Sequence, residues 1–349
     1  MRMDRGFFVH LGLLALAVTF AMLVWTRDKK AAALSQADVT VWSGRAADVQ
    51  RIAFEGKKKK VVLEARQDKA GRYFVGSAER EAAAPPDADH ADHADHADHA
   101  DHADHAAAKP EGEAKSSTFV SVGAANKLAE LLAPLKAMRA IGRVGDDRAA
   151  EFGLDDPEGT ITVTVGGAER KLVVGGATPG GADRYARDPA SGEVYAVKGD
   201  IFRDLDQAES RLLERDPHEW RDIEVSRAKV IVGDKARELA RGGAEGKKFW
   251  ADPASVDQAD ETAGNWMSKL ERLRPTEYTT TAPEPRAVVL RVEYTGNAGA
   301  LGFLELVKGP PGPTGKPDYF VTTERLRLHG KVPVSLAEQV EQDLGAVVK

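Results

Sequence analysis

The sequence predicts an α+β fold: an N-terminal transmembrane helix followed by two tandem, duplicated units of mostly antiparallel sheet with packed helices. Three observations predict it. Phe7 to Trp25 is an apolar run of nineteen residues broken only by His10 and Thr19. Beyond it, short stretches alternate apolar and polar residues, the period of half-buried strands, between glycine- and lysine-rich turns. These stretches and two helical patterns then recur in the same order in the second half, the mark of an internal duplication.

The anchor comes first. At about 1.5 Å per residue the run spans roughly 28 Å, close to the ~30 Å hydrocarbon core. Trp25 stands where an interfacial aromatic belongs. Arg2 and Arg5 precede the run and Arg27, Lys29 and Lys30 follow it, so charge alone does not orient it. The short tail before Phe7 favours an N-terminus inside and the bulk outside. A cleaved signal peptide is the alternative, but the run exceeds the usual ~7–15 residues, and Ala31-Ala32-Ala33 lies beyond a charged cluster. Residues 1–26 are thus read as anchor and 27–47 as tether.

The first unit is placed at 48–214. Ile52 and Phe54, then Val61 and Leu63, then Tyr73 to Val75 read as three strands, with Gly56 and Lys57 to Lys60 as a polar turn. The lysines are of a kind to touch anionic lipid headgroups, and a solvated hairpin tip is the simpler reading. Residues 77–117 lack the apolar content to fold and read as a disordered insert. Leu128, Leu131, Leu132, Leu135 and Met138 have helical spacing, with Pro134 kinking or ending the helix. Strands at 160–165 and 170–174 flank a Gly166-Gly167 turn. Gly175 to Gly181 reads as a loop, Tyr185 and Tyr195 to Val197 as strands, and Ile201 to Leu212 as a helix capped by Asp200.

The second unit, 215–349, repeats this order. Val230 to Val232, Leu239 to Arg241 and Phe249-Trp250 stand for the first three strands, and Trp266, Leu270 and Leu273 for the leucine helix. Strands at 288–292, 301–307, 319–321 and 326–328 follow. The last helix carries Leu336, Val340, Leu344 and Val347, with Ser335 and Glu338 spaced as a capping box.

Composition narrows the chemistry. The chain has no cysteine, which excludes disulfides, thiolate metal sites and cysteine nucleophiles. The net charge is −6, and the six aspartates of one repeat account for that excess, so no field attracts nucleic acid. His10 reads as an interfacial or helix-packing residue. His218 and His329 have no partner at metal-ligand or triad spacing and read as structural. Gly309 to Pro317 departs from a phosphate loop in spacing and in Pro317, and reads as a hairpin loop. The exception is His90, His93, His96, His99, His102 and His105, one histidine every third residue, each preceded by aspartate. A polyproline-type helix lines such a period along one side, and neutral imidazoles there can gather Zn, Ni or Cu. No cofactor is required by anything else in the chain. A repeat expansion with incidental metal affinity and a metal-buffering tract both remain open.

Phe152-Gly153-Leu154-Asp155-Asp156-Pro157 before a strand pair, and Asp183 to Arg187 followed by Val194 to Val197, resemble the bacterial family called domain of unknown function 4340. The resemblance runs from about Asp48 to the C-terminus, apart from the histidine insert. It implies a membrane helix, an exported β-rich body and an accessory role beside a gliding-motility-type ABC transporter. It implies a single-pass protein of the bacterial inner membrane, bulk in the periplasm, whose partners are transporter subunits or other envelope proteins. It carries over no catalytic residue. The expected function is a non-enzymatic, membrane-tethered scaffold or binding subunit; the rivals are a periplasmic metal-buffering protein and an exported hydrolase of unfamiliar type. For the metal rival, equilibrium dialysis is expected to show uptake at neutral pH that fades below about pH 6.5 and disappears when residues 87–108 are deleted. Equal uptake by both chains rules the repeat out as a chelator.

Overall fold

A computed structural model describes residues 38–81, 115–244, 247–313 and 315–348. The predicted anchor at 7–25 and all six histidines of the repeat lie outside the described residues. Among the described residues no helix is long and apolar enough to cross a membrane.

The first half runs β1 (Val39–Trp42), β2 (Val49–Gly56), β3 (Lys59–Asp68), β4 (Gly71–Arg80), β5 (Lys115–Ser121) and helix α1 (Gly123–Leu132). It continues with β6 (Leu135–Ala137), β7 (Arg139–Arg143), β8 (Gly159–Val165), β9 (Ala168–Ala177), β10 (Arg184–Arg187) and β11 (Glu193–Val197), then short helices α2 (Gly199–Asp206) and α3 (Ala208–Arg211). The second half runs β12 (Val225–Val232), β13 (Lys235–Gly242), β14 (Phe249–Ala251), α4 (Glu261–Leu270), β15 (Glu277–Thr279), β16 (Ala287–Gly296), β17 (Gly299–Pro311), β18 (Pro317–Thr323), β19 (His329–Val332) and α5 (Val334–Val347).

Pairing is antiparallel throughout. In the first half the strands lie in the order 7-11-10-9-8-2-3-4-5, in the second 15-19-18-17-16-12-13-14. The two orders correspond strand for strand except for β5. One residue pair, Thr118 with Tyr278, links β5 to β15. β7 and β14 end the path without pairing to each other among the described residues. The fold is α+β with mostly antiparallel sheet, as the alternation predicted.

Burial repeats as well. α1 buries Ala125, Leu128, Ala129 and Leu132, and α4 buries Ala263, Trp266, Met267 and Leu270, the same four positions of a ten-residue helix. That spacing sets one apolar face on the sheet. A 3₁₀ turn precedes the first long strand of each half, Ala46–Asp48 and Asp222–Glu224, closed by Arg45 with Asp48 at 2.7 Å and Arg221 with Glu224 at 3.1 Å. Exposed pairs like these add little stability, but they fix equivalent positions in the halves. Behind each turn an arginine lies over an aromatic ring: Arg72, 4.8 Å from the Phe74 centroid, donates to Ala46 O and Val49 O, and Arg241, 4.2 Å from Trp250, bonds Asp222.

Several readings are corrected. The fold begins inside the predicted tether, because β1 pairs with β6 and Trp42 is buried, its indole donating to Leu132 O at 2.7 Å. Both ends of the predicted insert are strand: Arg80 pairs with Lys115, so the insert leaves and re-enters at the end of one hairpin. The leucine helix stops at Leu132, and Leu135 falls in β6 because Pro134 cannot continue the helix. Gly175 and Gly176 belong to β9, not to a loop. Residues 326–328 turn rather than extend, and β19 starts at His329. Neither predicted cap forms: Asp200 pairs with Arg203, and Glu338 with Lys316 at 3.1 Å.

Trp266 joins the second-half helices, its indole donating to Val340 O at 3.0 Å from a fully buried position. Trp266→Ala is expected to cost about 3–5 kcal/mol in urea unfolding, and Trp266→Phe, which keeps most of the volume, clearly less.

Candidate functional site

The segment between the halves is fastened at each step. Leu212 and Leu213 are buried, Glu214 N donates to Val120 O at 2.7 Å, and Tyr278 Oη donates to Glu214 O at 2.6 Å. The Glu214 carboxylate takes Arg325 at 2.9 Å, and Thr323 Oγ1 donates to Pro217 O at 2.5 Å. Arg327, in the left-handed region at φ 57°, reaches across to Asp68 at 3.0 Å. A backbone in that region is unfavourable for a residue with a Cβ, and the tie to the first half holds it there.

This fastening fixes residues 216–222 beside the end of α4 and the face of β16. A cleft of about 560 Å³ results, lined among others by His218, Trp220, Glu271, Arg274, Tyr294 and Arg325. His218 stacks on Trp220 with centroids 4.1 Å apart, and both rings meet Tyr294, at 5.1 and 4.7 Å. His218 Nδ1 lies 2.9 Å from Glu324 Oε1, while Glu324 Oε2 accepts Phe303 N at 2.9 Å. Trp220 Nε1 is buried without a hydrogen-bond partner among the described residues, as are the Nε atoms of Arg241 and Arg325.

Charge in the cleft is unevenly matched. Arg274 has Asp216 at 2.9 Å, Arg325 has Glu214 at 2.9 Å, and Arg221 has Glu224 at 3.1 Å. Glu271 has only the more distant Arg241, at 3.8 Å. Burial, then the Asp222 carboxylate, pushes the Glu271 carboxyl above its ordinary range, against the pull of Arg241 and Arg274. Burial pushes the Tyr294 phenol far up, reinforced by Glu271, Glu324 and Asp222. The phenol is therefore a neutral donor or acceptor at physiological pH.

The residues singled out from sequence fall elsewhere or take other roles. His90, His93, His96, His99, His102 and His105 lie outside the described residues, and among the described residues no cluster of metal ligands forms. His329 sits in β19 with Nδ1 3.1 Å from Thr322 Oγ1, and burial, with Arg286 nearby, lowers its pKa. The lysine run is the tip of the β2–β3 hairpin, with Lys57, Lys58 and Lys60 exposed; Lys57 pairs with Asp156 at 2.5 Å and Lys60 with Glu55 at 3.0 Å, and Lys59 departs from the reading, being buried and paired with Glu209 at 2.9 Å. The Phe152 to Pro157 motif has a packing role. Gly153 turns at φ 64° against Gly176, and Phe152 O leaves no room for a Cβ on Gly175. Phe152 then meets Tyr185 edge-on at 4.9 Å.

A family model described as Domain of unknown function (DUF4340) matches residues 122–291, just under half of the chain. Over those residues the chain is similar to that domain family. The match is narrower than the resemblance read from Asp48 to the C-terminus. It takes in both quoted motifs, Trp220 and Glu271, while Tyr294 and Arg325 lie beyond it. No curated protein and no solved structure matches the chain. Of the cleft residues only His218 stands out in the sequence. Glu271, Tyr294 and Arg325 carry no local signal, because their neighbours in the cleft are distant in the chain.

The raised Glu271 carboxyl has a consequence for stability. The folded state holds its proton to higher pH than the unfolded chain does, so this group makes stability fall as pH rises through the carboxylate range. The thermal midpoint of Glu271→Gln should therefore gain on wild type between pH 4 and pH 7. A constant difference would show that Asp222, Arg241 and Arg274 balance the charge already.

Proposed function

We propose that this protein is a non-enzymatic, membrane-tethered scaffold or binding subunit, acting on the extracytoplasmic side beside an ABC-type envelope transporter, with residues 7–25 as its anchor. The observation that carries the reading is the pairing order. Two sheet-bearing units of like order, which we take as an internal duplication, are fastened end to end with an aromatic cleft where they meet. Such an arrangement offers broad surfaces and a concave site of ligand-pocket size. The short end strands β7 and β14 leave room for a partner at either end of the path. The metal-buffering alternative draws on the repeat at the end of the β4–β5 hairpin.

Mild detergent extraction and crosslinking of the tagged full chain from native membranes is expected to recover transporter subunits. Recovery of the free monomer alone would overturn the reading.

A further inference from the structure

The equivalence of the halves makes the cleft interpretable. The 3₁₀ turns set Arg45 against Arg221, so Gly44 corresponds to Trp220 and Trp42 to His218. The residue after each ten-residue helix sets Ala133 against Glu271. Register does the rest: Ile52 pairs with Val163 as Ala228 pairs with Tyr294. The correspondence extends to the outer strand pair. Thr40 faces Lys136 in the β1–β6 ladder, and at the matching place in the second half Asp216 holds Arg274 by a side-chain ion pair at 2.9 Å.

In the first half this place is sealed. A Cβ on Gly44 would sit 2.9 Å from Val165 Cγ1 and 3.4 Å from Ala133 Cβ, Val163 is fully buried, and the Trp42 indole is bonded to Leu132 O. In the second half glycine, alanine and valine give way to Trp220, Glu271 and Tyr294, and the place is open. One place in the repeated order is filled by small apolar residues in the first half and lined by an indole, a carboxylate and a phenol in the second.

We infer that the cleft binds a lysine or arginine residue of a peptide segment on the partner, an assignment that rests on the reading of the chain as a binding subunit. Three features select this chemistry. Glu271 and Glu219 are the loosely matched carboxylates, each 3.8 Å from its nearest arginine, in a cleft whose three lining arginines each hold a closer acid. Trp220, whose one face is covered by His218, lines the same cleft and has a second face to offer a cation. Trp220 Nε1 is closed off from solvent and has no acceptor among the described residues; a turn of the indole on binding would bring it to the backbone carbonyl of the same peptide residue.

The test uses the full chain in detergent, with acetyl-lysine methylamide, its norleucine analogue, n-butylamine and a neutral chitobiose as probes in calorimetric titration. The lysine probe should bind at least tenfold more tightly than the norleucine probe, and Glu271→Gln should remove that preference. Trp220→Phe, which keeps a weaker ring face and loses the N–H, should weaken the lysine probe severalfold and n-butylamine by a smaller factor. Far-ultraviolet dichroism and the thermal midpoint establish that each variant is folded. Equal binding of lysine and norleucine probes, unchanged affinity in Glu271→Gln, or preference for chitobiose overturns the assignment. Loss of probe binding with transporter subunits still recovered from membranes overturns the cleft alone. Probe binding without any recovered transporter subunit overturns the subunit reading alone.

Discussion

The position of one strand in each half governs the rest. β2 and β12 are the first long strands, yet neither lies at an edge: β2 sits between β3 and β8, and β12 between β13 and β16. A strand hydrogen-bonded on both sides must have its register satisfied twice, and a slip by one residue would turn Ile52 and Phe54, or Ala228 and Val230, out of the core. Pairing β2 with β8 also joins residues about a hundred positions apart in the chain, so it closes the sheet around everything between them. The insert can therefore be long without disturbing the fold, because its two ends stay registered at Arg80 and Lys115.

From that constraint the approach to each central strand is also dictated. The chain must arrive beside the end of the following helix, and a 3₁₀ turn brings it there in both halves. Arg72 ties the first turn through carbonyls and Arg241 ties the second through Asp222, each backed by an aromatic ring. The chemistry of the tie sets the charge around it. A guanidinium bonded to carbonyls is satisfied within the turn, whereas one bonded to Asp222 brings a second carboxylate close to Glu271. The charge pattern of the cleft is thus a by-product of how the second turn is held.

Period-2 alternation exposed most strands, and the leucine spacing exposed α1, because those signals are local. β1, β5, β6, β7 and β15 went unread for a common reason. β1, β6, β7 and β15 are three to five residues long and β5 is mostly polar, so none carries a pattern of its own. Their strand character comes from a partner elsewhere in the chain, as when Tyr278 lies against both Gly330 and Thr118. Gly175 and Gly176 misled for the opposite reason. Their loop-like composition answers to the Phe152-Gly153 turn packed on β9, a contact between segments over twenty residues apart. The cleft was least legible, since its walls come from the linker, α4, β16 and the turn after β18.

The comparison of halves supplies what local pattern cannot. Trp220-Arg221 four positions before Glu224-Val225 stands against Gly44-Arg45 four positions before Asp48-Val49, and the difference between indole and hydrogen at one position is visible in the sequence once the turns are aligned. Val165, which closes on Gly44, has Gly296 at its register position in the second half, where a Cβ would meet Glu224 O and Leu301. The two halves thus keep the register and differ in what fills it. Repacking alone would favour an apolar residue at the helix end, as Ala133 is in the first half. Glu271 is instead a carboxylate raised by burial and by a like charge. Its side chain keeps 44% of its surface exposed and its nearest cation stands 3.8 Å away, so the carboxylate is within reach of a ligand that enters the cleft.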